Sequence, residues 1–173
     1  MGLLTPLAVR IGALSWMPRL LPQVVWVDTR LQRASRGRVT VLDLAGLPNL
    51  ALTVAGRKSG LPRTTPLLCV PHDGGWLIAG SYFGGPQVPL WVGNLRAATT
   101  AHARVRGRIH EVTWREVEGA ERAELWQVML RTWPNYATYE ERTSRVIPVF
   151  VLRPVRGQYD GGATGGGPGG IGG

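Results

Sequence analysis

Cysteine, histidine and acidic residues are scarce in this chain. Among 173 residues it has one cysteine, three histidines and 11 Asp and Glu. A single cysteine excludes a disulfide framework within the chain, and the scattered histidines lack the spacing of zinc ligands, so we predict no metal site. Cys69 stands in an apolar run, where a free cysteine usually behaves as a small buried hydrophobe.

Long apolar runs are also missing. Residues 1–27 are apolar overall, but Pro6, Arg10, Pro18, Arg19 and Pro22 interrupt them, so no stretch reaches the roughly 20 apolar residues that a spanning helix needs. A secretory signal would place its positive charge before the apolar run, whereas the first charge here is Arg10, within the run. We therefore expect a cytoplasmic protein without a transmembrane anchor.

Positive charge is what the chain has in excess. Its 20 Lys and Arg give a formal net charge of +9. This balance favours an anionic partner, such as a phosphorylated cofactor, an acidic membrane surface or nucleic acid. A hydrophobic fraction of 44% with 18% charged residues is typical of a globular protein, and the length fits one domain.

Composition divides the chain into three parts. Residues 1–38 are apolar and basic, and within them residues 22–38 have the pattern of an amphipathic helix. Such a helix packs on the core more often than on anionic lipid, so contact with the inner face of the membrane is the alternative. Residues 39–156 carry the folded domain. Residues 157–173 are mostly glycine and are predicted to form a disordered tail.

Short apolar segments separated by turn signals predict strands at residues 51–55, 64–70, 76–80, 101–105, 109–117 and 147–152. Asp-Gly-Gly at 73–75 and Arg-Gly-Arg at 106–108 suit short antiparallel hairpins. Helices are predicted over 88–97 and 119–133, and Pro134 ends the second. The pattern indicates a mainly β protein with helices, an α+β barrel of about six antiparallel strands.

A glycine-flanked basic turn, Gly-Arg-Lys-Ser-Gly at 56–60, joins two predicted strands. Its glycines would let backbone N–H groups point at an anion, and Lys58 offers a point charge. Arg57 or Arg63 can form two parallel hydrogen bonds to a phosphate or a carboxylate. A solvated basic hairpin is the alternative, because the turn lacks the lysine-serine ending of a P-loop.

A second candidate element spans residues 80–96, where a strand end continues through glycines into a short helix. Small residues make room for a planar ring, aromatic side chains cover its face, and free helix N–H groups can bind an anionic edge. The alternative is ordinary turn chemistry with Trp91 as a core anchor.

Together these blocks resemble the deazaflavin-dependent nitroreductases of actinobacteria, a family that includes quinone reductases. The resemblance covers about residues 50–154 and follows the family's order: Gly-Arg-Lys-Ser-Gly-x-Pro-Arg-Thr, Gly-Ser, Pro-x-Trp-x-x-Asn-Leu, Glu-Arg-Ala-Glu-Leu-Trp, Trp-Pro-x-Tyr-x-x-Tyr and Ile-Pro-Val-Phe-Val-Leu-x-Pro. It implies a flavin-reductase-like split β-barrel that binds coenzyme F420. It also implies hydride transfer from the reduced cofactor to a quinone, enone or nitro-type acceptor.

The resemblance implies cofactor contacts for four groups of residues. The phosphate and acidic tail would be held by Arg57, Lys58, Ser59 and Arg63. The tail and ring would be lined by Thr64, Thr65, Pro66 and Leu67. The deazaflavin ring would lie beside Ala79, Gly80, Ser81 and Tyr82. The pocket would be closed by Leu90, Trp91 and Asn94, and Tyr136 would cover the substrate side together with Tyr139.

The reaction requires few catalytic groups from the protein, because the reduced cofactor carries the hydride. The site need only orient the cofactor, exclude water and supply a proton. Tyr139 is the candidate for protonating the acceptor, with a packing tyrosine as the alternative. Many family members have lysine and histidine where this chain has Tyr82 and Val88, which implies less charge beside the cofactor. Some have tyrosine in place of Trp133, which implies a reshaped acceptor pocket.

Two other functions are consistent with the residues. An oxidoreductase using flavin mononucleotide on a related barrel would place its phosphate on the same basic turn. A non-enzymatic module would bind nucleic acid or membrane through one basic strand face, formed by Arg104, Arg106, Arg108 and His110. We favour a solvated face, since no nucleic-acid-binding motif accompanies it. The expected partners are therefore a small-molecule hydride acceptor and a second copy of the chain, and not nucleic acid.

Overall fold

The computed structural model describes residues 46–155 together with Arg30 and Leu42. Seven strands within this part are β1 (Asn49–Ala55), β2 (Pro62–Leu68), β3 (Val70–His72), β4 (Gly75–Ala79), β5 (Ala101–Val105), β6 (Arg108–Val117) and β7 (Val149–Pro154). Its helices are α1 (Leu90–Ala97), α2 (Gly119–Thr132) and α3 (Asn135–Glu141), with a 3₁₀ turn at Tyr82–Gly84. The predicted N-terminal segment lies outside the described residues apart from Arg30, which is helical, and so does the predicted glycine-rich tail.

The strands form one curled antiparallel sheet in the order β2-β1-β5-β6-β7-β4-β3. Both predicted hairpin turns are present. Asp73 and Gly74 have φ of 49° and 74°, and Arg106 and Gly107 have φ of 48° and 81°. Two successive left-handed residues make the tight turn whose twist matches that of the flanking strands, and this is why glycine is needed at the second position.

Strand β7 lies between β6 and β4 in the sheet, and its first four residues are buried on both faces. Val149 and Val151 contact the core cluster under α2 and α3, whereas Phe150 and Leu152 contact the cluster under α1. Because side chains alternate between the faces of a strand, a continuous apolar run serves both cores. The helices therefore cover opposite faces of the same sheet.

The structure has one strand more than the sequence predicted. The segment 64–70 was interpreted as a single strand, but it is divided into β2 and β3 at Cys69, whose N–H donates to the carbonyl oxygen of Pro48 at 3.0 Å. The chain thus leaves β1 at this residue and continues as the other edge of the sheet. The short helix α3 was also missed: Pro134 ends α2 as expected, but its φ of −56° also suits the residue before a new helix.

No helix in the described part of the chain is long and apolar enough to cross a membrane.

Candidate functional site

The basic loop between β1 and β2 is closed by its own backbone. Gly56 donates its N–H to the carbonyl oxygen of Leu61 at 2.8 Å, and Gly60 and Ser59 donate to that of Gly56 at 2.7 and 3.1 Å. Gly60 has a φ of 68°, which favours glycine. The expectation that these N–H groups point at an anion is therefore wrong, because hydrogen bonds inside the loop already occupy them.

The cations of the loop and of the start of β2, in contrast, have no acidic partners among residues 46–155. Arg57, Lys58 and Arg63 are exposed, and none of them forms an ion pair within residues 46–155. Other arginines in that range do pair, as Arg96 does with both carboxylate oxygens of Glu116 at 2.6 and 2.7 Å. The loop and the start of β2 therefore present three positive charges that are not neutralised by the described residues.

Helix α1 holds this loop in place. The N–H of Arg57 donates to Oδ1 of Asn94 at 3.1 Å. A Cβ added at Gly93 would lie 3.4 Å from Cζ and Nη1 of Arg57, so the guanidinium lies directly against the part of the helix that has no side chain. Two predicted site elements, 37 positions apart in the sequence, are thus in direct contact.

The same helix turn contacts the end of β4. A Cβ added at Gly80 would lie 2.8 Å from Cγ2 of Val92 and 2.9 Å from Cγ of Pro148, so only glycine fits there. The Gly80 N–H donates to the carbonyl oxygen of Pro148 at 2.9 Å. Because Val92, Gly93 and Asn94 are consecutive, one turn of α1 joins the basic loop to the glycine turn that follows β4.

The turn after β4 has an unusual backbone. Tyr82, Phe83 and Gly84 have φ of 47°, 55° and 79°, three left-handed residues in succession. Left-handed conformations are costly for residues with a Cβ. Helix α3 supports the turn: the rings of Phe83 and Tyr139 lie edge to face at 5.6 Å, and a Cβ on Gly84 would lie 2.7 Å from the carbonyl oxygen of Tyr139.

Strand β2 is an edge strand of the sheet and carries five of the predicted contacts, Arg63 and the four residues that follow it. Thr64 Oγ1 and Thr53 Oγ1 lie 2.8 Å apart across the pair of β1 and β2. Pro66 has no N–H, which an edge strand tolerates. Thr65, Pro66 and Leu67 are partly exposed, so their side chains can be reached from outside the core.

The predicted pocket residues of α1 differ in their surroundings. Leu90 is 81% exposed, whereas Trp91 is 6% exposed and packs against Phe150 with ring centroids 5.7 Å apart. Trp91 is thus a core residue in this structure, which agrees with the alternative interpretation of residues 80–96 as an ordinary turn. Asn94 is partly buried, and its side chain contacts the basic loop.

Tyr136 and Tyr139 on α3 are buried in the core, at 3% and 2% exposure. The Tyr136 ring packs on Trp126 with centroids 5.2 Å apart. Burial raises the pKa of both hydroxyls, and hydrogen bonds from Trp133 and Asn135 oppose this shift for Tyr139. Both hydroxyls therefore stay protonated at neutral pH. Their predicted roles on the substrate side stay predictions.

Cys69 is buried at 1% exposure. Burial raises the pKa of its thiol to about 12, against the opposing charge of Arg106. The thiolate is the reactive form of cysteine, so the interpretation of Cys69 as a small core residue is confirmed.

Arg145 contacts the glycine turn and was not singled out from the sequence. Its Nη2 donates to the carbonyl oxygen of Ser81 at 2.9 Å, and its Nε donates to that of Gly85 at 3.1 Å. The residue stands in a short polar stretch before β7, where one arginine is no signal by itself. Only the fold brings it to the turn, 64 positions away from Ser81.

A family model described as F420H(2)-dependent quinone reductase matches residues 25–154, which is most of the chain. The chain belongs to this family. An F420H(2)-dependent quinone reductase of Mycobacterium tuberculosis is 33% identical over 141 residues, which cover 79% of this chain and 95% of that protein. This membership confirms the predicted enzyme class, an oxidoreductase, and the predicted cofactor, coenzyme F420.

Two solved structures are similar to this member of the quinone reductase family. An F420-H2 dependent reductase is 34% identical with a TM-score of 0.57, covering 61% of this chain and 94% of its own. A second chain, described as a domain-swapped dimer, is 31% identical with a TM-score of 0.58 and covers 74% and 97%. The predicted split-barrel fold class is thereby confirmed.

Proposed function

We propose that the chain transfers a hydride from reduced coenzyme F420 to a quinone, at a site between the basic loop, the start of β2, the glycine turn and α1. The main observation behind this site is a set of three cations, on the loop and the start of β2, that form no ion pair among the described residues, together with the contacts by which α1 joins the loop to Gly80. Family membership supports the reaction.

The residues present fit this cofactor. Its phosphate and acidic tail need cationic donors, and Arg57, Lys58 and Arg63 supply charge without a competing carboxylate among the described residues. Arginine also recognises phosphate and carboxylate with two parallel hydrogen bonds. Since the loop's N–H groups are largely occupied internally, side-chain charge is what binds the anion.

When bound, reduced F420 supplies the hydride, and one proton completes the conversion of a quinone to a hydroquinone. The chain has to orient the cofactor and deliver that proton. Arg57 is pre-oriented by Asn94 and Gly93, so little freedom is lost on binding. Tyr139 is the proposed source of the proton, because burial keeps its hydroxyl protonated and its ring contacts Phe83 in the turn.

A quinone is the acceptor we favour, because the family is described by that activity. No feature of the described residues favours an enone or a nitro compound instead. Family membership also disfavours the two alternatives weighed from the sequence, a flavin mononucleotide enzyme and a nucleic-acid or membrane module. Cytoplasmic location remains a prediction, and peripheral membrane contact has no support from the comparisons.

We also propose a homodimer, on the likeness to the chain described as a domain-swapped dimer. Strands β2 and β3 are the two edges of the sheet and leave backbone groups for pairing with another strand. The molar mass measured by light scattering as the protein elutes from a size-exclusion column tests this proposal. A monomer mass at every protein concentration would exclude a dimer.

The function is tested by titrating the protein with oxidised F420 and, separately, with flavin mononucleotide, following tryptophan fluorescence. A second assay follows oxidation of reduced F420 on addition of a soluble naphthoquinone. We expect saturable quenching by F420 only and one reduced cofactor consumed per quinone. Preference for flavin, or binding of F420 without quinone reduction, would contradict the proposal.

A further inference from the structure

Arg145 holds the two ends of the glycine turn. Its Nη2 and Nε donate to the carbonyl oxygens of Ser81 and Gly85, which stand immediately before and after the 3₁₀ turn Tyr82–Gly84. One planar guanidinium therefore determines the distance between the two ends. No other type of side chain offers several donors in such a rigid arrangement.

The turn needs such support because its own bonds are few. The N–H of Gly84 donates to the Ser81 carbonyl oxygen, and that of Gly85 to the Tyr82 carbonyl oxygen, both at 2.9 Å. The left-handed backbone of Tyr82 and Phe83 is energetically unfavourable, since each of these residues carries a Cβ. Strained backbone persists only where the surrounding structure imposes it.

The position of Arg145 beside the turn is unfavourable for its charged form. Burial lowers the pKa of its guanidinium, and the two acceptors, on Ser81 and Gly85, are neutral carbonyl oxygens. Its Nη1 is buried without a hydrogen-bond acceptor among the described residues. Partial burial of a charge that forms no ion pair among the described residues is unfavourable, so the two bonds to the turn have to offset it.

The turn that Arg145 holds adjoins the proposed cofactor site. Gly80 precedes Ser81 and packs on Val92, and the next two residues of α1 contact Arg57 in the basic loop. A shift of the turn would therefore move the surface that faces the bound ring relative to the cations that hold its tail. A cofactor held at both ends is sensitive to such a shift.

We propose that Arg145 is a positioning residue for the deazaflavin, acting through the carbonyl groups of Ser81 and Gly85. This inference rests on the proposed function, since it requires the cofactor ring to lie at the turn. Arg145 itself need not touch the cofactor. Its effect is to keep the backbone of residues 81–85 in the conformation to which the ring binds.

The test compares Arg145→Ala and Arg145→Lys with Arg131→Ala, a control at an exposed arginine in the last turn of α2. The first measurement is amide hydrogen exchange of Gly84 and Gly85 without cofactor. The second is the dissociation constant for F420, with KM and kcat for reduced F420 and a soluble naphthoquinone.

For Arg145→Ala we expect exchange at both glycines to be faster, and the F420 dissociation constant to rise about tenfold or more, as the loss of two charge-assisted bonds predicts. KM for reduced F420 should rise with it, while kcat at saturating cofactor stays within about twofold. Arg145→Lys should recover part of the affinity, since lysine can reach one carbonyl but not span both. The control should equal the wild type.

Faster exchange with unchanged F420 affinity would overturn the proposal and leave Arg145 a structural residue only. Unchanged exchange would overturn it as well. If the wild type itself does not bind F420, the proposed function fails and the cofactor part of this inference fails with it, while the exchange data still show whether Arg145 holds the turn. Should Arg145→Ala not fold, Arg145→Lys and Arg145→Gln decide the same comparison.

Discussion

The backbone N–H of Arg57 donates to Oδ1 of Asn94 at 3.1 Å, which joins the basic loop after β1 to the middle of helix α1. The bond fixes the start of the loop and lets the Arg57 guanidinium lie over Gly93. Asn94 was expected to close the cofactor pocket. In the structure its side chain accepts a hydrogen bond from Arg57, so we expect any contribution of Asn94 to F420 binding to be made through the loop.

Asn94→Ala should weaken F420 binding by roughly two- to tenfold, because one neutral hydrogen bond that orients the loop is lost. Fluorescence titration measures the effect. Asn49→Ala is the matched control: Asn49 Nδ2 donates to the Leu47 carbonyl oxygen at 3.1 Å, at the other end of β1. Equal affinity of both variants would show that the loop does not depend on its bond to α1.

Lys58→Ala and Arg63→Ala should each weaken F420 binding by roughly tenfold to a hundredfold, since each removes a charge-assisted contact of about 1.5–3 kcal/mol. Affinity of the wild type should also fall as salt is raised, because the contacts are exposed and screened. Arg131→Ala serves as control for a change in net charge alone. If both Lys58→Ala and Arg63→Ala bound F420 as tightly as the wild type, these cations would not bind the anionic tail.

Tyr139→Phe should lower kcat for quinone reduction while leaving the F420 dissociation constant nearly unchanged, because it removes the hydroxyl proton and keeps the ring that packs on Phe83. General acid catalysis typically contributes about 10²–10⁴-fold. Arg131→Ala, at an exposed residue in the last turn of α2, is the control. If Tyr139→Phe turns over at the wild-type rate, the residue is a packing tyrosine.

Gly84→Ala should be much more destabilising than Gly74→Ala. Both glycines have positive φ, of 79° and 74°, so both variants incur a backbone cost of about 1 kcal/mol. At Gly84 the new Cβ would also lie 2.7 Å from the Tyr139 carbonyl oxygen, whereas nothing lies within 4 Å at Gly74. That clash adds a further ~1–3 kcal/mol. Urea unfolding measures the free energy of unfolding of both variants, and equal values would contradict this prediction.

Stability should rise with pH in the range just below 6.5 because of His110. Burial and the charge of Arg108 lower the pKa of this imidazole from 6.5. The unfolded chain then binds a proton more readily than the folded one, so stability is lost as pH falls through the unfolded value towards the folded one. In His110→Gln the melting temperature should change less with pH between about pH 5 and 7 than in the wild type.

Local patterns were the reliable part of the sequence interpretation. Strand β5 was predicted at its observed bounds, and Asp73-Gly74 and Arg106-Gly107 form the predicted turns, because two left-handed residues are a local requirement. The division at Cys69 was not predictable, since the apolar run continues through it and the break shows only in the pairing, where β2 pairs with β1 and β3 pairs with β4. Helix α3 was missed because a proline that ends one helix can also precede the next.

The sequence by itself determined the fold class, the family, the cofactor and the basic loop, because these depend on residue types in a given order. Only the tertiary structure showed which contacts join the elements of the proposed site: Asn94 with the loop, Val92 with Gly80 and Arg145 with the turn at Ser81. It also placed Trp91 and Tyr139 in the core. Contacts between residues far apart in the chain depend on how the sheet curls and the helices pack, and no local pattern specifies them.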